Sequence, residues 1–209
     1  MRRLPAWGFA MSASDGPEYP SGTALVVVDV QNDFADPKGS LYVQGGEDVV
    51  PIINREIDRA RAAGVPVVYT RDWHPPETPH FAKYGGKWPV HGVRDTWGAE
   101  FPPDLEVAGD VILKAKGLED GYSGFSVTDL PSGERRETGL EQLLRDRGVD
   151  HVVIAGLTTD YCVKETALDA VRKGFDTDVI AEATRPVDVE PGDGERALRE
   201  IEQAGVTIV

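Results

Sequence analysis

Hydrophobic positions along this chain follow two periodicities, one typical of strands and one typical of helices. Short runs of β-branched residues, as in ALVVVDV and HVVIAGL, predict strands that are buried on both faces. Between them lie segments whose apolar residues recur every three or four positions, which predicts amphipathic helices. Gly64, Gly148 and Gly174 each follow such a segment, where glycine commonly ends a helix. The pattern therefore predicts a regular alternation of strands and helices.

The predicted elements follow one another from Thr23 to the C-terminus. The predicted strands are Ala24–Val30, Val65–Thr70, Asp110–Leu113, His151–Ala155, Phe175–Ile180 and Val206–Val209. The predicted helices are Gly46–Ala63, Glu137–Arg147, a helix with Cys162 in its first turn that runs to Lys173, and Gly194–Ala204. Such alternation favours an α/β fold of three αβα layers, with a central, mostly parallel six-stranded sheet of the Rossmann-like type.

One stretch, residues 71–109, interrupts the alternation and is rich in Pro, Trp and His. An irregular segment of this length inside a compact domain is usually functional. In open parallel sheets, ligands bind beyond the carboxyl ends of the strands. We therefore expect the chemically active residues to cluster at those strand ends and in this loop.

Length and composition limit the class of protein. A chain of 209 residues matches one domain with a substantial core. We expect residues 23–209 to form that domain and residues 1–22, rich in Pro, Gly and Ser, to be a loosely ordered extension. The extension contains no sustained apolar run, so a signal peptide is not expected. No apolar run approaches the ~20 residues that a membrane-spanning helix needs.

The net charge restricts the classes of binding partner, and the cysteine content indicates the cellular compartment. The formal net charge of -14 argues against nucleic acid and against an anionic membrane surface as partners. A single cysteine excludes an intrachain disulfide and predicts a reducing, cytoplasmic location. We expect a small-molecule substrate, and both a monomer and a homo-oligomer remain compatible with the sequence.

The lone cysteine, Cys162, lies where a buried strand is predicted to become a helix. The first turn of a helix has unpaired N–H groups and a dipole that favours negative charge. Both effects predict a lowered thiol pKa and a reactive thiolate. A buried structural cysteine is the alternative interpretation, and the position alone leaves both open.

A carboxylate and two lysines lie at the ends of other predicted strands. Asp29 follows the first strand, and Lys114 and Lys116 follow the third. Taken singly, Asp29 could cap a turn and either lysine could extend to water. Together, an acid, a lysine and a thiol form a catalytic set, in which the carboxylate takes the thiol proton and the ammonium stabilises both anions. We take Lys116 as the lysine of this set.

A second group of residues has the composition of a metal site. Asp72 and His74 follow the second strand at a spacing that points both side chains to the same side. His80 and His91 lie further along the same loop. Mixed carboxylate and imidazole ligands suit Zn²⁺, Fe²⁺ or Mn²⁺. Solvent-exposed loop histidines are the alternative interpretation.

Five motifs in order resemble the nicotinamidase/pyrazinamidase branch of the isochorismatase-like hydrolases. They are VVDVQNDF, the Asp-x-His followed by WPVHGV, GAEFPP, KGLEDGYSGF and AGLTTDYCVKETALDAVRKG. The resemblance runs in register from Thr23 to the C-terminus. It implies hydrolysis of nicotinamide to nicotinate and ammonia through a cysteine thioester, as in NAD salvage, with pyrazinamide as a further substrate.

The resemblance also implies roles for individual residues. It assigns the catalytic triad to Asp29, Lys116 and Cys162. It assigns one divalent metal ion, zinc or alternatively Fe²⁺ or Mn²⁺, to Asp72, His74 and His91, with His80 near or on the metal. It places substrate contacts at Phe34, Trp88 and Tyr122, an oxyanion hole at the backbone N–H groups of Thr158 and Cys162, and a cis peptide between Leu157 and Thr158.

Other functions remain to be weighed against this one. Another cysteine amidase of the superfamily, acting on an N-carbamoyl compound or a ureide, is the nearest, although the relatives in question usually lack the full metal set. A vinyl-ether hydrolase of the isochorismatase type would leave Cys162 without a role. A non-catalytic metal-binding protein on the same fold could have lost part of the triad, yet every member is present. A redox-sensing thiol would have no second cysteine to resolve it.

Overall fold

The computed structural model describes residues 19–209, so most of the expected extension at residues 1–22 lies outside the described part. The strands are β1 (Thr23–Val28), β2 (Val67–Asp72), β3 (Asp110–Lys114), β4 (Glu119–Asp120), β5 (Ser126–Asp129), β6 (Arg135–Glu137), β7 (His151–Leu157), β8 (Asp176–Arg185) and β9 (Thr207–Ile208). The α-helices are α1 (Asn32–Ala35), α2 (Val49–Ala63), α3 (Leu140–Asp146), α4 (Lys164–Arg172) and α5 (Asp193–Gln203).

The predicted three-layer αβα architecture is confirmed. Six strands form one sheet in the order β3-β2-β1-β7-β8-β9, and every pairing in it is parallel. Each strand therefore directs its carboxyl end toward the same edge, and the helices connect successive strands across the two faces.

Alternate residues of the central strand build two separate cores. Leu25 and Val27 face one side, where they pack with the apolar face of α2. Ala24, Val26 and Val28 face the other side, where they pack with apolar residues of α3, α4 and α5. This division follows from the two-residue period of a strand. It explains why β1 is buried at every position and apolar from Ala24 onward, since neither of its faces meets water.

The chain between β3 and α3 departs from the sequence prediction. Strands β4, β5 and β6 form a small antiparallel sheet that the hydrophobic pattern did not predict. Arg135–Glu137 pairs as β6, so α3 begins at Leu140 and not at Glu137. These strands are two to four residues long and largely polar, which leaves little periodic signal in the sequence.

β7 and β8 extend well beyond their predicted ends, and both additions lie toward the carboxyl edge of the sheet. β7 continues to Leu157, and β8 continues to Arg185 with an irregularity in its pairing to β7. Within residues 19–209, none of the helices has the length and apolar character that crossing a bilayer requires.

Candidate active site and metal site

Lys114 is the buried cation at the carboxyl edge of the sheet. Its Nζ lies 2.7 Å from Asp29 Oδ2 and 2.8 Å from Asp72 Oδ1, and it also donates to the carbonyl of Gly121. The pairing of β2 with β3 places Lys114 directly beside Asp72. Burial acts to lower the pKa of Lys114, but the two carboxylates outweigh burial and raise the pKa well above its ordinary value. Lys114 is therefore an ammonium held between two carboxylates.

The structure corrects the choice of Lys116 as the lysine of the catalytic set. The Lys116 side chain is exposed, whereas that of Lys114 is buried. The strand ends at Lys114, and Ala115 turns the chain with a φ of 53°. The two-residue period that would place Lys116 on the same side as Lys114 no longer applies beyond that turn.

Asp29 follows the last residue of β1 and is completely buried. Its backbone adopts a φ of 48°, and Thr70 Oγ1 donates a hydrogen bond of 2.7 Å to its Oδ1. Burial raises the pKa of Asp29 to about 6, against the lowering effect of Lys114. A carboxyl group with this pKa can both accept and donate a proton near neutral pH.

Cys162 lies in a π-helical turn, Thr159–Val163, that joins β7 to α4. Its Sγ is 3.8 Å from Lys114 Nζ and within 4.8 Å of a carboxylate oxygen of Asp29. Turns of this kind are frequent at functional sites.

The thiol pKa differs from the sequence expectation. Burial raises the pKa of Cys162 well above its ordinary value, and the nearby Lys114 only partly counteracts this. The helix N-terminus predicted a lowered pKa, but that prediction took no account of burial beside Asp29. The resting group is a neutral thiol with a carboxylate as its neighbour.

Asp72 lies between Lys114 and the histidines. The Gln31 side chain holds its backbone from both sides, accepting from the Asp72 N–H at 2.7 Å and donating to its carbonyl at 2.9 Å. One carboxylate oxygen binds Lys114, and the other lies 4.0 Å from His74 Nε2. Burial acts to raise the pKa of Asp72, but Lys114 and the histidines outweigh burial and lower the pKa to about 2. Asp72 is thus an anion that faces the imidazoles.

Three imidazoles converge next to Asp72. His74, His80 and His91 are buried, and each offers a ring nitrogen within 4.8 Å of the others. The rings of His74 and His80 stack with centroids 4.5 Å apart. Burial lowers the pKa of His74 to about 3 and also lowers the pKa of His91. The lowered pKa values leave His74 and His91 neutral, the form in which an imidazole binds a metal.

The donor set matches what a divalent cation needs. His91 Nδ1 bonds the carbonyl of Pro89 at 2.7 Å, and His80 Nδ1 bonds the carboxylate of Asp120, so the second nitrogen of each ring is available. His74 Nδ1 is buried without a hydrogen-bond partner, which is costly unless another ligand satisfies the ring. Three imidazoles and one ionised carboxylate suit a borderline metal such as zinc.

Cys162, Asp72 and the three histidines line one cavity. Phe34, Trp88 and Tyr122, the aromatic residues expected around the substrate, are in its wall. Trp88 Nε1 donates to Tyr122 Oη at 2.9 Å, which fixes the two rings relative to each other. Aromatic side chains in the wall of a cavity suit a small, flat aromatic molecule.

The two residues expected to form the oxyanion hole are also in the cavity wall. Thr158 precedes the π-helical turn, and the peptide bond between Leu157 and Thr158 is cis, as the resemblance implied. The carboxylate of Asp160 accepts hydrogen bonds of 2.9 Å from the backbone N–H groups of Val187 and Asp188. It thereby holds the segment that follows β8 against the turn that contains Cys162.

Sequence reasoning missed several residues of the site. Tyr161, Leu41 and Val187 also line the cavity. Only Tyr161 carried a signal, since it directly precedes Cys162. Asp120 and Thr70, which contact His80 and Asp29, could not have been found because their roles depend on contacts across the fold.

The comparisons with known proteins agree with this geometry. Residues 23–209 match the isochorismatase domain model. The chain is 36% identical over 203 residues to a nicotinamidase of Escherichia coli, covering 88% of this chain and 93% of that protein. It is 40% identical over 190 residues to a nicotinamidase/pyrazinamidase of Mycobacterium tuberculosis, covering 89% and 97%.

The fold of this chain also matches that of a solved structure. The pyrazinamidase of Pyrococcus horikoshii, in complex with zinc, superposes with a TM-score of 0.80 at 41% identity. The alignment covers 90% of this chain and 98% of that one.

Proposed function

The chain belongs to the isochorismatase family, and on this premise we propose that it is a cysteine amidase that hydrolyses nicotinamide to nicotinate and ammonia. The observation that carries the proposal is the position of Cys162. Its thiol lies beside a buried carboxylate and a buried ammonium, in the wall of a cavity that also holds three histidines. Pyrazinamide, a similar aromatic amide, is the expected second substrate.

The first half of the reaction forms a thioester. Asp29 takes the proton of Cys162, and the resulting thiolate attacks the amide carbon. The raised pKa of Asp29 suits this transfer, because a stronger base removes a proton more readily from a buried thiol. Lys114 stabilises both anions during the transfer. Asp29 then protonates the leaving nitrogen, and ammonia departs as the C–N bond breaks.

The second half returns the enzyme to its starting state. Water replaces ammonia, and Asp29 removes a proton from it as it attacks the thioester carbon. The C–S bond breaks, nicotinate is released, and the sulfur regains its proton. We assign oxyanion stabilisation in both halves to the backbone N–H groups of Thr158 and Cys162. One such donor is typically worth about 3 kcal/mol in a site that excludes water.

We assign a divalent metal ion, with zinc as the expected metal, to Asp72, His74, His80 and His91. The burial of all four and the absence of a hydrogen-bond partner at His74 Nδ1 support this assignment. The bound ion would act as a template that orients the substrate ring. The zinc complex of the Pyrococcus horikoshii pyrazinamidase supports zinc over Fe²⁺ or Mn²⁺.

Aromatic residues are assigned to hold the ring of the substrate. Phe34, Trp88 and Tyr122 line the cavity, and a flat heteroaromatic ring can pack against such faces by offset or edge contacts. This wall favours nicotinamide over the flexible N-carbamoyl and ureide substrates of the alternative amidases.

The proposal is tested by measuring ammonia release and metal content on the same preparation. We expect turnover of nicotinamide and pyrazinamide by the parent chain and little on a ureide or an N-carbamoyl amide. Cys162→Ala should lower kcat/KM for nicotinamide at least ~10³-fold, as for the loss of a nucleophile, with the metal content unchanged. Substantial turnover by Cys162→Ala would reject the thioester route, and a preference for the ureide would reject nicotinamide as substrate.

A further inference from the structure

Two of the three histidines of the site are oriented by hydrogen bonds to different parts of the fold. His91 bonds the carbonyl of Pro89, two residues away in its own loop. His80 instead bonds the carboxylate of Asp120, which is 40 residues away in the chain. The positions of these two rings therefore depend on different parts of the fold.

Asp120 reaches the histidines from the small antiparallel sheet. It is the last residue of β4 and pairs with Thr128 in β5, which fixes its backbone. Its side chain is 32% exposed, whereas the side chain of His80 is 4% exposed. The carboxylate thus connects a partly exposed strand with a buried imidazole.

A carboxylate on one nitrogen of a histidine determines what the other nitrogen can do. It accepts the N–H at Nδ1, which leaves Nε2 unprotonated and able to bind a cation. It also fixes the orientation of the ring and raises its basicity as a ligand. In this structure the ring so oriented stacks on His74 with an interplanar angle of 17°.

We propose that Asp120 is the positioning residue that makes His80 the fourth protein ligand of the metal. The inference rests on the metal site included in the proposed function. Without this contact, the site is left with Asp72, His74 and His91. The small antiparallel sheet therefore contributes to metal affinity through Asp120.

The test is a double-mutant cycle on metal affinity, measured on metal-free protein by competition with a chromophoric zinc chelator. Asp120→Asn, which cannot accept the N–H as a carboxylate does, should weaken zinc binding about 10- to 100-fold, the usual effect of losing such a partner. In a His80→Ala background, the same substitution should have no further effect. Asp120→Glu, which keeps the charge, should recover part of the affinity.

Asp129→Asn is the matched control. Asp129 lies in the strand paired with β4, and its carboxylate bonds Ser132 and Arg136 away from the histidines. We expect the zinc affinity of Asp129→Asn to equal that of the parent chain.

An unchanged zinc affinity in Asp120→Asn would overturn the proposal. The proposal would also be overturned if Asp120→Asn weakened zinc binding as much in the His80→Ala background as it does in the parent chain.

These measurements are independent of amide turnover. Zinc affinity is determined without substrate, so the cycle can support the role of Asp120 even if nicotinamide is not hydrolysed. Conversely, a parent chain that hydrolyses nicotinamide while Asp120→Asn binds zinc normally would leave the proposed function standing and reject only this inference. The visible absorption spectrum of the Co²⁺-loaded protein is a second measurement of the ligand set. We expect Asp120→Asn and His80→Ala to shift the absorption bands of the parent in the same direction.

Discussion

Two lysines separated by one residue have opposite surroundings in this protein. Lys114 is buried between Asp29 and Asp72, and Lys116 is exposed. Sequence spacing could not distinguish them, because both follow a predicted strand at the same periodicity. The register of β2 with β3 and the turn at Ala115 decided between them.

This pair provides a matched comparison. Lys114→Met should lower the free energy of unfolding by ~3–5 kcal/mol, because it leaves buried carboxylates without their counter-charge, and it should also abolish ammonia release. Lys116→Met should change stability and turnover little. Urea denaturation and an ammonia assay measure the two effects. A harmless Lys114→Met substitution would contradict the ion-pair arrangement.

The pKa of Asp29 predicts the pH dependence of turnover. As a base Asp29 must be ionised, and burial raises its pKa from 3.8 to about 6. We therefore expect kcat/KM to rise with pH up to about 6 and to level off above it, so that activity is lost as the pH falls through this value. A rate profile at constant, verified metal content measures this. An acidic limb near pH 4 would show that burial does not shift the pKa of this group.

At the scale of elements, the end of β7 determines where the nucleophile lies. Gly156 has a φ of 121°, and an added Cβ would lie 2.1 Å from the carbonyl oxygen of Val28 in β1. Only glycine allows the two strands to approach so closely just before the turn that carries Cys162. The pairing of β7 with β8 is also irregular between Ile154 and Gly156.

Gly156→Ala should therefore be more damaging than the same change at another glycine with positive φ. Gly174 has a φ of 79°, but an added Cβ would meet nothing within 4 Å. We expect Gly174→Ala to cost about 1 kcal/mol from the backbone conformation alone and Gly156→Ala to cost clearly more and to lower turnover. Denaturation midpoints of the two variants measure the difference. Equal losses would show that the contact with Val28 relaxes easily.

At the scale of the whole molecule, the proposed metal connects the sheet to the long loop. Asp72 ends β2, and the loop that follows carries all three histidines. A ligand that binds only the folded state adds stability by mass action, about 4 kcal/mol at a thousand times its Kd. Zinc should therefore raise the Tm of metal-free protein by several degrees, and chelation should abolish turnover. Thermal melts with and without zinc measure this, and identical curves would argue against the site.

The sequence by itself determined the layered fold, because alternating periodicities and the glycines that end helices are local signals that do not depend on the rest of the fold. It also placed the acid, the thiol and the histidines at one edge, because parallel strands all end there. Strands β4 to β6 were not predicted, since short polar strands carry almost no periodicity.

Only the tertiary structure decided which side chains meet. Strand register selected Lys114, a contact from the small antiparallel sheet brought Asp120 to His80, and burial raised the pKa of Cys162 where the helix N-terminus alone predicted a lower one. The physical reason is common to all three. Each depends on contacts between residues far apart in the chain and on exclusion of water, and neither property belongs to any local stretch of sequence.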